Sequence, residues 1–178
     1  LNLIKATEYN VEIDKNISIS ANLFEYSNNL KKLIISGNVV FKDKLNNINS
    51  SSEKIIYYED LSIIEIIGNV NLVDNINKVN LSSSKVTFYK KSNLFQFSDN
   101  IFFNDKLNKI TGDGEEVFYS KKLNTIYSEK KSKIIYDNLY FIDLEEFNYD
   151  IKTKKISSKK LTKINDVFQN YFEVNGFV

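Results

Sequence analysis

The sequence predicts an all-β protein built from a repeat of about 31 residues, and three observations support this prediction. First, the stretch 33–43 returns as 64–74 and again, with lower similarity, as 95–105. Second, apolar and polar side chains alternate with a period of two from residue 17 onward, as in strands that have one buried face. Third, short Asn-containing clusters separate these stretches, and Asn is typical of turns. A repeat of this length is typical of stacked architectures.

The predicted unit is strand, short turn, strand, short turn. The first strand runs from Ile17 to Tyr26, where β-branched, aromatic and small residues alternate with polar ones. Residues 28–31 form a turn, and the second strand covers Leu33 to Phe41. Residues 44–47 turn the chain again, and Ile48 to Tyr58 repeats the pattern of the first strand.

The ends of the chain follow the repeat less closely. Residues 139–147 also fit a helical period, but the apolar residues at Phe147 and Tyr149 favour strands. We expect a single domain over residues 1–178, with atypical end segments at 1–16 and 165–178, as is usual for terminal units of a stacked fold. Because the sequence starts at Leu1 and stops at Val178, we expect it to be a piece of a longer chain.

Aligned copies of the repeat place apolar residues in columns, which we call the inward columns. Their members advance two residues at a time, so each strand presents one apolar face. A slip of one residue would bury Glu25, Glu65 and Gln96, so the register is strongly specified. The inward columns comprise Phe24, Tyr26, Leu33, Ile35, Phe41, Ile55, Tyr57, Ile64, Ile66, Leu72, Val86, Phe88, Phe95, Phe97, Phe103, Val117 and Tyr119.

Glycines interrupt two of the predicted strands at equivalent places. Gly37 and Gly68 are expected to mark bulges or bends, because glycine adopts positive φ freely. The third copy has Asp99-Asn100 at this place, and Asp and Asn are the residues that tolerate this conformation next best. We therefore interpret these positions as determinants of the fold and not as ligand residues.

The composition excludes several classes of function. The chain has no Cys, His or Met, so we expect no zinc, copper, haem or iron–sulfur site and no His-dependent triad. A net charge of +1 and the absence of Arg argue against nucleic-acid binding. The acidic clusters 113–116 and 143–146 are interpreted as solvated surface. We expect no catalytic residues, metal or cofactor, and no enzyme.

The motifs around the glycines resemble those of the OstA-like family of lipopolysaccharide transport, which includes LptA, LptC and the N-terminal periplasmic domain of LptD. The resemblance rests on Gly37-Asn38-Val39 and Gly68-Asn69-Val70, together with Ile48–Tyr57 and its counterpart Val79–Tyr89. It covers roughly residues 17–158. The chain departs from the family pattern in having Asp99 in place of a third Gly, and Ser-Glu or Ser-Ser in place of Ala-Asp before Lys.

The resemblance implies a β-jellyroll of antiparallel strands, with two facing sheets and an open apolar groove lined by the inward columns. In this family the groove shelters the lipid A acyl chains of lipopolysaccharide, and modules join end to end by edge-strand pairing. The implied partners are lipopolysaccharide and other OstA-like Lpt proteins or a second copy of this chain. The implied location is the periplasm, with a tether to the outer membrane if the chain continues into an outer-membrane β-barrel as LptD does.

Two other functions stay open at this point. Most apolar strand faces are closed cores, so the residues alone favour a sealed core over a groove, as in a structural or adhesive β-solenoid with parallel rungs. A polysaccharide-acting enzyme would need two carboxylates that converge on one cleft. For the lipid carrier, we expect unpaired edges within Ile4–Ile19 and after about Lys160, where β-augmentation could occur.

Overall fold

The computed structural model describes residues 3–177, which form sixteen β-strands. Residues 1, 2 and 178 of the expected domain lie outside the described residues. Among the described residues, no helix has the length and apolar character needed to cross a bilayer. The strands are β1 Leu3–Glu12, β2 Ile17–Ser27, β3 Lys32–Asp43, β4 Ile48–Tyr58, β5 Ile63–Asp74, β6 Val79–Tyr89, β7 Leu94–Ser98, β8 Phe102–Asp105, β9 Ile110–Gly114, β10 Glu116–Ser120, β11 Thr125–Ser128, β12 Ser132–Tyr136, β13 Tyr140–Leu144, β14 Phe147–Asp150, β15 Lys155–Asp166 and β16 Tyr171–Phe177.

The long strands bend near their centres, at the positions that the sequence predicts. Gly37 and Gly68 have φ of 80° and 81°, and the asparagine that follows each also has positive φ. The register of β3 against β4 shifts between Ser36 and Val39, as expected for a bulge. In the third copy Asp99 and Asn100 have φ of 62° and 54°, and there the long strand is divided into β7 and β8.

The bends fold the hydrogen-bonded network into two facing layers. Layer A contains β7, β10, β11, β14 and the halves of the long strands that lie next to them, such as 32–36 of β3. Layer B contains β8, β9, β12, β13, β16 and the opposite halves, such as 39–43 of β3. The ring centroids of Phe41 in layer B and Phe88 in layer A are 6.1 Å apart. Phe103 and Phe147 make a second such contact at 5.8 Å. The core therefore lies between the layers.

The strand order agrees with an all-β jellyroll. Strands β1 to β6 pair in sequence, and β6 pairs with both β7 and β8, so the network divides into two branches. One branch continues through β10, β11 and β14, the other through β9, β12 and β13, and both reach β15. Every strand pair among residues 3–177 is antiparallel, so the parallel rungs of the β-solenoid alternative are wrong.

The structure also settles the ambiguous segments. The stretch 139–147 contains β13 and the start of β14, so the strand interpretation is confirmed. The C-terminal segment forms the end of β15, a turn at 167–170 and β16. Within the described residues β1 pairs only with β2 and β16 only with β15, so each presents an edge in the region where we expect one.

Short turns join the strands in two stacked rows. The first turn row contains 28–31, 59–62, 90–93, 121–124 and 151–154, at the ends of layer A. The second turn row contains 13–16, 44–47, 75–78, 106–109, 137–139 and 167–170, at the ends of layer B. Backbone bonds link successive turns of a row: the N–H of Glu59 donates to the carbonyl of Lys31 at 3.0 Å, and that of Asn75 to Asn47 at 3.1 Å.

Candidate functional site

The inward columns form the interior between the layers. Fourteen of their seventeen members are at most 4% exposed, and Phe95, Phe97 and Phe103 are among the fully buried ones. Phe88 and Phe95 stack with ring centroids 4.2 Å apart. The structure therefore brings the predicted residues together, and it packs them as a filled apolar interior.

The three remaining members, Tyr26, Leu33 and Tyr57, are partly exposed and lie in layer A near the first turn row. The Tyr26 hydroxyl donates to the Glu59 carboxylate at 2.9 Å. The Lys90 ammonium lies 5.4 Å from the centroid of the Tyr57 ring. These aromatic side chains mark where the interior reaches the protein surface.

A column of buried aspartates lies at the opposite side of the molecule from the bends. Asp43, Asp74 and Asp105 recur every 31 residues at the ends of strands in layer B, and all three are buried. Each carboxylate accepts a hydrogen bond from a backbone N–H of the turn that follows it and from the side-chain amide of Asn46, Asn77 or Asn108. This arrangement satisfies the carboxylates locally, which is the usual condition for burying them.

Asp74 also binds side chains of layer A. Its carboxylate accepts a hydrogen bond from the Tyr119 hydroxyl and lies 2.5 Å from the Lys121 ammonium, whose side chain is 8% exposed. Burial alone would raise the pKa of Asp74, but the hydrogen bonds from Lys121, Tyr119 and the backbone of Asn77 outweigh it and hold the pKa below its usual value. Burial and then the adjacent Asp74 carboxylate raise the pKa of Tyr119.

The same contact recurs one unit further along. The Tyr149 hydroxyl donates to Asp105 at 2.6 Å, and burial followed by this carboxylate raises the pKa of Tyr149. One unit earlier, Asn46 of the turn 44–47 and Asn93 of the turn 90–93 exchange two side-chain hydrogen bonds of 3.0 Å.

The two turn rows meet along a line, which we call the seam. Asn77 donates to Asn124 across it at 3.1 Å, and Lys90 pairs with Asp14 at 2.7 Å. At the bends the continuous backbone of the long strands joins layer A to layer B, whereas at the seam side chains join them. The layers can therefore separate at the seam without breaking a strand.

The acidic clusters come closer together than the sequence indicates. Asp113, Glu115, Asp143 and Glu145 line one open cleft of about 400 Å³, although all four are exposed as expected. Lysines alternate with them across the strands, since Lys133 lies between Asp113 and Asp143 in the register. This alternation matches a solvated charged surface. No group of three or more Asp or Glu that could hold a metal ion occurs among the described residues.

The seam residues are the part of this site that the sequence interpretation missed. The signal was present, because the repeats end in Asp43, Asp74 and Asp105, each followed three residues later by Asn. An Asp followed by Asn is an ordinary turn signal. Only the approach of the other layer gives Asp74 its partners Tyr119 and Lys121, and Asp105 its partner Tyr149.

The chain matches known proteins in structure but not in sequence. No protein-family model matches the chain, and no curated protein matches its sequence. Among solved structures, the chain is similar to LptH, the LptA homologous periplasmic component of the conserved lipopolysaccharide transport device from Pseudomonas aeruginosa. The two are 11% identical over 89% of this chain and 93% of that chain, with a TM-score of 0.32.

Proposed function

We propose that the chain is a non-enzymatic periplasmic module that shelters the lipid A acyl chains of lipopolysaccharide between its two layers. One observation carries the proposal: an apolar interior runs across successive strands from β2 to β14, and among residues 3–177 side-chain contacts close it at the seam. The likeness of the Gly-Asn-Val motifs to the OstA-like family supports the same function.

Acyl chains would enter at the seam. The inward columns are packed against one another, so a lipid tail would replace contacts between the layers with contacts to itself. An apolar tail that enters this interior is removed from water, and this removal is favourable for the tail as it is for the buried side chains. The partly exposed Tyr26 and Tyr57 lie where such a tail would first meet the protein.

The two edges support assembly into a bridge. β1 and β16 each have one unpaired side among residues 3–177, and unpaired backbone groups are templates for β-augmentation. The partners in this proposal are other OstA-like Lpt proteins or a second copy of the chain. If the protein is LptD-like, we propose that a β-barrel in the same chain tethers it to the outer membrane.

A structural module with a sealed core is the second candidate. The observation that favours it is the burial of Phe95, Phe97 and eleven other inward-column residues to 2% exposure or less. Such a module would bind no lipid. The two candidates therefore differ in one measurable property, the uptake of lipid into the interior.

Site-specific photo-crosslinking tests the proposal. A benzophenone amino acid replaces Phe95, which points inward, or Phe118, an aromatic on the outer face of the adjacent strand β10. The proposal predicts that lipopolysaccharide is captured at position 95 and not at 118. Capture at neither position by a folded protein, or capture at 118 alone, would contradict it and favour the sealed module.

A further inference from the structure

The charges of this chain are unevenly distributed between the turns and the rest of the molecule. Twelve of the 24 lysines lie in the eleven turns of the two rows, against four of the 23 acidic residues. The turns therefore carry an excess of eight positive side chains, although the chain as a whole has a net charge of +1. A surface of this kind attracts anions locally where the whole protein does not.

Most of these lysines are available for an external partner. Four of them pair with a carboxylate: Lys44, Lys90, Lys109 and Lys121. The other eight form no ion pair with the residues that the structure describes, and all eight are exposed: Lys15, Lys31, Lys78, Lys91, Lys106, Lys122, Lys152 and Lys154.

Apolar side chains recur at the tips of the same turns. In the first turn row Leu30, Leu61 and Leu123 are 60–70% exposed, with Ser92 at the equivalent place in the turn between the last two. The second turn row repeats this with three more: Leu45, Ile76 and Leu107. A single exposed leucine is ordinary on a protein surface. Here six exposed leucine and isoleucine side chains recur regularly beside lysines, so they form one surface that is both apolar and positively charged.

Both rows lie on one side of the molecule. Asn46 of the second row contacts Asn93 of the first, and Lys154 of the first row lines the same pocket as Leu107 and Lys109 of the second. Successive tips of a row are two strands apart, which corresponds to roughly 10 Å. Several tips can therefore reach one flat surface at the same time.

We propose that the seam docks on the surface of a bilayer that contains anionic lipid. Lysines would lie at the phosphates while the leucine tips enter the headgroup boundary, as on amphipathic membrane-surface helices. A soluble acidic polymer would satisfy the lysines but leave the leucine tips in water. This inference concerns the outer surface of the turns and is independent of the lipid proposed for the interior.

Vesicle co-sedimentation tests the proposal, with vesicles of phosphatidylethanolamine and phosphatidylglycerol compared with phosphatidylcholine vesicles. We expect binding to the anionic vesicles alone, weakening as salt increases. The triple variant Lys91→Gln, Lys106→Gln, Lys122→Gln should lose affinity on the order of a hundredfold. Its matched control loses the same charge at the bends, where Lys130 and Lys131 lie between β11 and β12 and Lys159 lies at the register shift of β15: Lys130→Gln, Lys131→Gln, Lys159→Gln.

A second variant tests the apolar tips. Leu30→Ser, Leu61→Ser and Leu123→Ser introduce the residue that the chain itself has at Ser92, so the fold should be retained. This variant should also lose vesicle binding while its melting temperature stays unchanged. Absent binding, an equal loss in the bend-side control, or an undiminished affinity of the leucine variant would overturn the proposal. If the leucine variant binds the vesicles as well as the native protein does, and dextran sulfate displaces both proteins, the seam is assigned to an acidic polymer instead.

Discussion

Replacing Asp74 with Asn should reveal how strongly the seam holds the two layers together. Asp74 is fully buried, and its Oδ2 accepts hydrogen bonds from Tyr119, Lys121 and Asn77. Asn keeps the shape of the side chain and the oxygen that caps the turn. Its amide NH2 group, however, would face the three groups that donate to Oδ2, and it cannot accept their hydrogen bonds. The substitution also leaves the Lys121 ammonium, with its side chain 8% exposed, without a counter-ion.

The expected loss is about 3–5 kcal/mol in the free energy of unfolding, as is typical when one partner of a buried ion pair is removed. For a protein of this size that corresponds to a melting temperature lower by roughly 10 °C. Urea unfolding at pH 7, followed by far-ultraviolet circular dichroism, measures the loss. Asp60→Asn, at an exposed turn position, is the control and should change the free energy by less than about 0.5 kcal/mol.

The pH dependence supplies a second test of the same contact. Since the folded state holds the pKa of Asp74 below its usual value, its carboxylate contributes stability above the unfolded pKa of about 3.9. That contribution is lost as pH falls through the lower, folded pKa. The difference between native protein and Asp74→Asn should therefore shrink on acidification from pH 5. A loss below about 1 kcal/mol at pH 7, or one independent of acid pH, would show that the Asp74 carboxylate does not hold the two layers together.

Three further predictions concern single positions. Gly68→Val should destabilise by about 1–3 kcal/mol in urea unfolding, because φ is 81° there, whereas Gly68→Asn should cost less; equal losses would contradict the bend. Gly112→Ala should cost about 1–3 kcal/mol, because the new Cβ would lie 2.4 Å from the Phe103 ring; a neutral result would contradict this packing. The raised pKa of Tyr119 makes native stability fall as pH rises above about 10, and Tyr119→Phe should reduce that slope; an unchanged alkaline slope would count against its burial beside Asp74.

The strand pattern and the bends could be predicted because they depend on local chemistry. A period of two places Phe95 and Phe97 on one face wherever the chain is extended. Positive φ selects Gly, Asn or Asp wherever a bulge is required, so Gly68 and Asp99 were recognisable as equivalent. Both kinds of signal lie within a few residues of where they act.

The closure of the interior could not be predicted in the same way. Whether a column of apolar residues is a groove or a filled core depends on the distance between the layers. Here Asp74 meets Tyr119, 45 residues away in the chain, and Asn46 meets Asn93, 47 residues away. These contacts depend on how the bends direct two distant turns toward each other, which no local pattern contains.

A lock across the seam tests most directly whether lipid enters the interior there. The chain has no Cys, so Asn46→Cys with Asn93→Cys places the only two thiols where the turn rows meet. A short bifunctional thiol crosslinker that a reductant removes then ties layer A to layer B. Its control is the pair Ser51→Cys and Asn71→Cys, which are register partners on neighbouring strands within layer B.

Lipopolysaccharide capture by the benzophenone at position 95 is measured before crosslinking, after it, and after reduction. If lipid enters through the seam, the seam lock abolishes capture, reduction restores it, and the control lock leaves it unchanged. Undiminished capture by the locked protein would contradict entry of the lipid through the seam.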